Sequence, residues 1–549
     1  MARKKILIVG GVAGGASCAA RARRLSEAAE IIVLERGPFV SFANCGLPYY
    51  VGEVIRQEES LLVATPELFR NRFNIEVRLR SEATAIDREA GTVQVKDLDT
   101  GRSYAESYDA LVLSPGAAPV RPPLPGIDLE GIFVLRSIPD SRRMREWIST
   151  TGARRAVVVG GGFIGLEMAE NLVKRGLSVT IVEMLPQVMP PLDPEMAAPI
   201  HEHLRARGVE LRLGEAVTGF ERTREGALAV RTGAGTETAA DLVVLSIGVR
   251  PETALARAAG LKIGASGGIH VDPQMRTSDP RIWAVGDAVE VTDVITGRQV
   301  LVPLAGPANR QGRIAADVIF GRPASFRGVQ ATAVCEVLGL TVAMTGASEK
   351  SLKRAGIACE KVYLHPGHHA GYYPGAKPIR MKLTFSPADG RVLGLQAVGE
   401  EGVDKRVDVV AMAIQKGGTV YDLEEAELCY APQYGSAKDP VNLAGMIAGN
   451  VLRGDLPLAH WEDLAGGNAL VLDVRDREEL RGGAVAGAVN IPLGELRGRL
   501  AELPRDRPIL TYCGVGQRSY YATRILLQNG FRVHNLSGGF TSYQNVKPR

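Results

Sequence analysis

Residues 5–35 read KILIVGGVAGGASCAARARRLSEAAEIIVLE, and residue types along this stretch follow the order of a strand, a turn, a helix and a second strand. Residues 6–9 are a short apolar run suited to a buried strand. Gly10, Gly11, Ala13, Gly14 and Gly15 make the turn, a helix is expected to about residue 28, and 31–34 form the next strand, ending at Glu35. Glycines let backbone approach a pyrophosphate, the helix N-terminus offers it unpaired N–H groups, and a carboxylate about 20 residues on can accept hydrogen bonds from a ribose. Val12 takes the central glycine position of a strict G-x-G-x-x-G, so this motif needs support from elsewhere.

The support comes from a second unit at 156–183. Strand 156–159 leads into Gly160, Gly162 and Gly165 at the full spacing, a helix runs to about residue 175, and strand 179–182 ends at Glu183. Two such units, each closing on a glutamate, indicate two dinucleotide sites. Glu183 repels a 2′-phosphate and binds a free 2′-hydroxyl, so the second site is expected to prefer NADH over NADPH. Further on, TSDPRIWAVGDAVE at 277–290 reads as a short strand ending at Gly286 and Asp287.

At 549 residues the chain exceeds one core. With 45% hydrophobic and 23% charged residues and a net charge of +4, neither nucleic acid nor a membrane surface is expected as partner. The six cysteines, Cys18, Cys45, Cys335, Cys359, Cys429 and Cys513, lack C-x-x-C spacing. This argues against a zinc site, an iron–sulfur cluster or a secreted disulfide framework, and favours a reducing cytoplasm; no metal is expected. The N-terminus imitates a signal peptide, with basic residues, an apolar run and small residues before Cys18. The arginines at 21, 23 and 24 favour a strand entering a helix instead. No other segment is long and apolar enough to cross a bilayer.

Residues 41–50 read SFANCGLPYY and carry one cysteine, Cys45, with no second cysteine nearby to close a disulfide. Such a thiol must cycle against an external thiol or through a sulfenic acid.

The two glycine turns, the SPGA segment at 114–117 and the Gly286–Asp287 pair together resemble the FAD- and NAD(P)H-dependent pyridine nucleotide–disulfide oxidoreductases, over residues 1 to about 450. SFANCGLPYYVG is similar to their single-cysteine branch of CoA-disulfide reductases, NADH oxidases and NADH peroxidases. The resemblance implies FAD on Gly10, Gly11, Ala13, Gly14, Gly15, Glu35, Arg36, Gly116 and Asp287. It implies NADH on Gly160, Gly162, Gly165 and Glu183, with Phe163 as an aromatic lid over the flavin, and a homodimer formed through 326–449. Coenzyme A is implied on Ser17, Arg21, Arg24, Ser41, Asn44 and Lys438, although Arg21 and Arg24 read by residue type alone are a solvated helix face. Tyr430, with either Tyr372 or Tyr373, is implied as a partner-subunit acid above Cys45, protonating a departing thiolate. His365, His368 and His369 cluster in sequence without a carboxylate or cysteine framework for a metal.

Beyond residue 450 the chain changes character. VLRGDLPLAHWEDL reads as a linker entering a helix, followed by a strand ending in LDVRD, then GAVAGAVNIPL, PILTYCGVGQRS and LSGGFTSYQ. This tail resembles a rhodanese domain over 462–549. Its loop, Cys513 to Arg518, has six residues, a length that suits sulfur transfer, since related phosphatase loops are one residue longer. Backbone N–H groups and a helix start would stabilise a Cys513 thiolate or persulfide, with Arg518 adding charge.

The expected architecture is α/β: an FAD domain from 1–115 and 245–325, an NADH domain at 116–244, an α+β dimerisation domain at 326–449, a linker at 450–461 and an α/β rhodanese domain at 462–549. The expected activity is NADH-driven, FAD-dependent reduction of persulfides or polysulfides. NADH reduces FAD, reduced flavin opens a Cys45–CoA mixed disulfide, the Cys45 thiolate attacks the next substrate, and Cys513 carries sulfane sulfur to it on a flexibly linked domain. The alternatives are CoA-disulfide reduction as main activity, or an NADH oxidase with a sulfur-binding tail. A peroxidase is disfavoured, because the peroxidase members carry a histidine in the first glycine turn and GGVAGGAS has none.

Overall fold

In the computed structural model, which describes residues 4–224, 226–466 and 468–546, strand Lys5–Val9 lies at the centre of a five-stranded parallel sheet. The order is Ile282–Ala284, Ala110–Leu113, Lys5–Val9, Glu30–Leu34, Glu76–Arg78. A parallel sheet covered on both faces demands continuous apolar strands, and Ile6, Leu7 and Ile8 are fully buried. A second parallel sheet repeats the arrangement with Glu210–Leu213, Ser178–Glu183, Arg155–Val159, Leu242–Leu245 and Ile132–Phe133. Each fold also carries a three-stranded antiparallel sheet, Ser81–Asp87 with Thr92–Asp97 and Ser103–Ser107 in the first, and Val217–Arg222 with Leu228–Thr232 and Glu237–Ala240 in the second. The first helix, Ala13–Leu25, is shorter than the sequence suggested. Ser26 turns to extended backbone, and the Arg23 guanidinium fastens the carbonyls of Ser26 and Glu27 that would have continued the helix.

These elements form one compact unit, Met1–Pro186 with Val209–Val329. The other unit comprises Gln187–Gly208 with Gln330–Arg549. It contains an antiparallel sheet ordered Ala333–Val337, Leu340–Gly346, Val392–Gly399, Ile379–Phe385, Glu360–Leu364, and a parallel sheet ordered Leu458–Ala459, Val533–Leu536, Ile509–Tyr512, Leu470–Asp473, Val489–Asn490.

Two boundaries differ from the sequence reading. Residues 187–208, expected within the NADH domain at 116–244, pack in the second unit, where buried Asp193 accepts hydrogen bonds from Lys382 (2.9 Å) and Gln396 (2.6 Å). The segment 450–461 is not a free linker. Helix Pro440–Leu452 runs through its start, Leu458–Ala459 pairs with Asn535 and Leu536 as the edge of the last sheet, and Trp461 is buried in that domain's core.

The tail is therefore docked rather than flexibly tethered. Within this unit, Tyr363 N–H donates to Ser537 Oγ (3.1 Å), His365 Nε2 meets Ser542 Oγ (3.0 Å), and Lys361 pairs with Glu462 (2.6 Å). Among the described residues, no helix is long and apolar enough to cross a membrane.

Candidate functional site

The first glycine turn opens onto a cavity of about 950 Å³ in the first unit. Gly10 has φ +94°, and a Cβ there would fall 2.1 Å from Ser114 O, so only glycine lets the turn pass against the neighbouring strand end. Gly11 N–H donates to Glu35 Oε2 (2.9 Å) and Gly37 N–H to Oε1 (2.8 Å), which fixes the carboxylate at the strand end. Gly10, Ala13, Gly14, Glu35, Arg36, Gly116 and Asp287 line this cavity, whereas Gly11 and Gly15 pack behind it. Arg36 and Arg136 share Glu252, and Arg136 also donates to Pro115 O (3.1 Å). Burial pushes the Asp287 carboxyl up, opposed by Arg136.

The second turn is built alike. Gly160 has φ +104°, and its Cβ would meet Ser246 O at 2.4 Å. Gly161 N–H donates to Glu183 Oε2 (2.7 Å) and Leu185 N–H to Oε1 (2.8 Å). Gly165 packs on Gly160, while Gly162 faces open space. Phe163 begins helix Phe163–Lys174, and Met184, next to Glu183, is 68% exposed.

Cys45 is exposed, in the short 3-10 turn Asn44–Gly46, beside Asn44 on the cavity wall. Ser41 leads into this loop in left-handed backbone, φ 50°, held by Ser41 N–H to Gly11 O (2.9 Å) and Val63 N–H to Ser41 O (2.8 Å). The thiol is held above its ordinary pKa by partial burial, then by the carboxylates of Glu167 and Asp287. Glu167, on the helix of the second glycine turn, is itself pushed up to about 7, chiefly by burial. The sequence reading missed Glu167: a glutamate inside an amphipathic helix carries no motif.

The expected coenzyme A residues do not all stand free. The Arg21 guanidinium is taken by Asp317 at 3.0 and 2.6 Å, and Ser17 Oγ bonds to Asn309, both on helix Ala305–Ile319. Arg21 thus ties two helices together, and its charge is already matched, which departs from the phosphate role expected for it. Arg24, Asn44 and Lys438 are exposed.

In the second unit Tyr372 and Tyr430 share a hydrogen bond of 2.7 Å, with Tyr372 76% exposed. Tyr373 instead sets its ring edge against His369. The Tyr430 bond raises the Tyr372 pKa, so that hydroxyl keeps its proton. His365 faces Ser542, away from the other two, whereas the His368 and His369 rings lie 4.2 Å apart; His368 is 3.3 Å from Glu401, and His369 bonds to Ala370 O.

Cys513 is fully buried at the end of strand Ile509–Tyr512. Its Sγ accepts Gly516 N–H (3.2 Å) and the Ser519 hydroxyl (3.6 Å), one backbone donor rather than the several expected. Arg518 does not point its charge freely at the sulfur. It forks onto Glu479 (2.6 and 2.7 Å) and reaches Asp476 (3.1 Å).

Three family models match: pyridine nucleotide-disulphide oxidoreductase over residues 4–312, its dimerisation domain over 332–439, and a rhodanese-like domain over 457–546. The NADH oxidase of Methanocaldococcus jannaschii is 37% identical over 80% of this chain and 97% of its own length, and the coenzyme A disulfide reductase of Staphylococcus aureus is 35% identical over 81% and 99%. Among solved structures, reduced Bacillus anthracis CoADR-RHD superposes with TM-score 0.97 at 48% identity, covering 100% of this chain and 98% of that one. A NAD-dependent persulfide reductase from A. fulgidus gives TM-score 0.92 at 39% identity, covering 98% and 100%. The chain belongs to the pyridine nucleotide–disulphide oxidoreductases, with that family's dimerisation domain and a rhodanese domain fused behind it.

Proposed function

We propose that this enzyme is an FAD-dependent NADH:persulfide reductase that releases sulfide, takes coenzyme A as the thiol partner of Cys45, and uses Cys513 as a sulfane-sulfur carrier. One observation carries the reading: a chain with a lone, exposed Cys45 also holds Cys513 in a six-residue loop whose Gly516 N–H and Ser519 hydroxyl aim at its sulfur. CoA-disulfide reduction alone leaves that second sulfur site without work.

The residues present fit the two cofactors. The cavity, about 950 Å³, has the volume for a dinucleotide, Gly10 and Gly14 bring backbone to its wall, and Glu35 stands at the strand end where a ribose would bind. At the second turn Gly162 meets nothing within 4 Å, leaving that approach open for NADH, and Glu183 ends the strand beside which its ribose would bind. Bound FAD supplies the two-electron relay between reduced nicotinamide and a cysteine sulfur.

The protein's own part is thiol chemistry. The Cys45 thiolate attacks the inner sulfur of a CoA persulfide, forming a Cys45–S–S–CoA bond and expelling hydrosulfide. Two electrons then cleave that bond, returning the Cys45 thiolate and CoA thiolate. The Tyr372–Tyr430 pair, contributed by the second subunit of a homodimer, protonates the departing thiolate. Arg24, Asn44, Ser41 and Lys438 are the contacts proposed for coenzyme A. An enzyme whose working thiols must stay free belongs in a reducing compartment, the cytoplasm.

The test follows NADH oxidation and sulfide release with CoA persulfide, polysulfide, CoA disulfide and oxygen. Cys45→Ser should keep its flavin and lose turnover of every sulfur substrate. With a protein-borne persulfide added as substrate, Cys513→Ser should lose its turnover while keeping CoA persulfide. Turnover confined to CoA disulfide, or to oxygen, would replace the proposal with the plain reductase or the oxidase.

A further inference from the structure

The persulfide loop at Cys513 has a single cation, Arg518, and that cation is spent. Its two terminal nitrogens pair with both oxygens of Glu479 at 2.6 and 2.7 Å, and Nη1 also reaches Asp476 Oδ2 at 3.1 Å. One guanidinium against two carboxylates leaves a net charge of −1 in this group. The arrangement is fixed from below: Asp476 caps the short helix Arg477–Gly482, and its N–H donates to Glu479 Oε2 at 3.0 Å, so Glu479 is held by backbone as well as by Arg518. The pair lowers the Glu479 pKa and raises that of Arg518, so both stay charged.

The pair borders the loop. A Cβ on Gly514, the residue after Cys513, would lie 3.7 Å from Arg518 Nη2 and 3.8 Å from Glu479 Oε1. Cys513 itself is buried, so the charges that border its loop bear on any donor that extends a sulfur atom to it. The neighbouring guanidinium, Arg475, offers no substitute charge, because it is buried against Asp473 at 2.6 Å and over the Phe540 ring.

We infer that Glu479, by occupying Arg518, sets the sulfur-donor class of Cys513: a thiol-borne persulfide, whose fixed charges lie several bonds from the transferred sulfur, is accepted, and the dianion thiosulfate, whose sulfonate is bonded directly to it, is turned away. This rests on the reading of Cys513 as sulfur carrier. In the accepted reaction the Cys513 thiolate attacks the outer sulfur of R–S–SH, giving Cys513–S–SH and R–S⁻. With thiosulfate the same attack gives Cys513–S–S⁻ and sulfite, and the incoming dianion meets Glu479 and Asp476 where the loop's own cation, Arg518, is already paired.

The experiment uses the full-length holoenzyme without NADH, with either thiosulfate or glutathione persulfide as donor and cyanide as acceptor. Thiocyanate formation is measured at low and high salt, and the Cys513 peptide is weighed by mass spectrometry. Wild type should load Cys513 from the persulfide at least tenfold more efficiently than from thiosulfate. Glu479→Gln keeps an oxygen for the helix cap and frees Arg518, so the thiosulfate-to-persulfide ratio should rise about tenfold at low salt and fall back at high salt. Asp476→Asn should give a smaller rise, and Glu479→Gln with Arg518→Gln should abolish the gain. A wild type that loads equally from both donors, or a gain that survives loss of Arg518, overturns the inference while leaving Cys513 a carrier. Failure of Cys513 to load from either donor removes the carrier reading, and the inference with it.

Discussion

The hydroxyl of Tyr49, in the helix that follows Cys45, lies 3.4 Å from Oε1 of Glu167, in the helix that follows the second glycine turn. The two helices are in close contact: a Cβ on Gly52 would stand 2.1 Å from Asn171 Oδ1, and Arg175 donates to Val51 O at 3.0 Å. The thiol segment and the helix of the second glycine turn are thus parts of one packed block.

Glu167 should govern the ionisation of Cys45. Above about pH 7 its carboxylate is charged and, behind burial, opposes the Cys45 thiolate. Glu167→Gln removes that opposition, so the pH midpoint for Cys45 alkylation should move down. Iodoacetamide labelling across pH 6–10, with the Cys45 peptide followed by mass spectrometry to separate it from exposed Cys429, measures it. An unchanged or higher midpoint would show that burial and Asp287 set the thiol without Glu167.

The second glycine turn separates folding from binding. Gly160→Ala combines a left-handed residue with a 2.4 Å approach to Ser246 O, and should cost at least about 1–3 kcal/mol, read as a lower melting temperature. Gly162→Ala meets nothing within 4 Å and has no positive φ, so its melting temperature should stay near wild type while the KM for NADH rises about tenfold or more. Comparable melting and comparable KM for the two variants would deny that Gly162 faces the nucleotide.

Cofactor preference should be movable without touching Glu183. Its carboxylate holds Gly161 N–H and Leu185 N–H, so Glu183→Ala would orphan two donors and confuse specificity with stability. Met184 is exposed beside it. Met184→Arg places a guanidinium where a 2′-phosphate lies, and the KM for NADPH should fall about three- to tenfold, with NADH affected less. No change in the NADPH value would place the ribose elsewhere.

The sequence showed those parts of the fold whose cause is local. Gly10 and Gly160 are needed by the backbone of their own turns, and apolar residues 6–8 fill a strand buried on both faces, so both sheets could be read from short windows. The parts it hid depend on partners far along the chain. Arg21 reads as a solvent-facing arginine until Asp317 is brought to it, and Glu167 is an ordinary helix glutamate until Cys45 lies nearby. Leu458 and Ala459 read as linker because a two-residue edge strand has no periodicity of its own and exists only against Asn535 and Leu536. Arg518 reads as a loop cation until Glu479 and Asp476 are brought to it in space.

The largest hidden interaction is also the most exposed to test. Lys382 is completely buried, with Nζ bonded to Asp193 (2.9 Å), Glu195 (2.5 Å) and Glu349 (2.6 Å), and Glu349 passes the network on to Lys361 (2.9 Å). Burial pushes Asp193 and Glu349 up, but the Lys382 charge outweighs it and holds both below the usual carboxylate range. Lys382 is held above its own ordinary value, again against burial, by Glu195, Asp193 and Glu349. The wild-type contribution is therefore present above the unfolded carboxylate value of about 4 and is lost as pH falls through the depressed native values. On the alkaline side it persists until pH rises through the native value of Lys382. Lys382→Met takes the neighbouring cation from buried Asp193, where burial then favours the protonated form. Its folded pKa then rises above the unfolded one, so the variant should lose stability as pH rises from about 4 towards 7. The deficit at pH 7 should reach about 3–5 kcal/mol, the cost of removing one partner from a buried ion pair, and should shrink near pH 4.5. Calorimetric melting of both proteins across that range checks it. A deficit of the same size at every pH would mean that the methionine fits badly and that the charges contribute little.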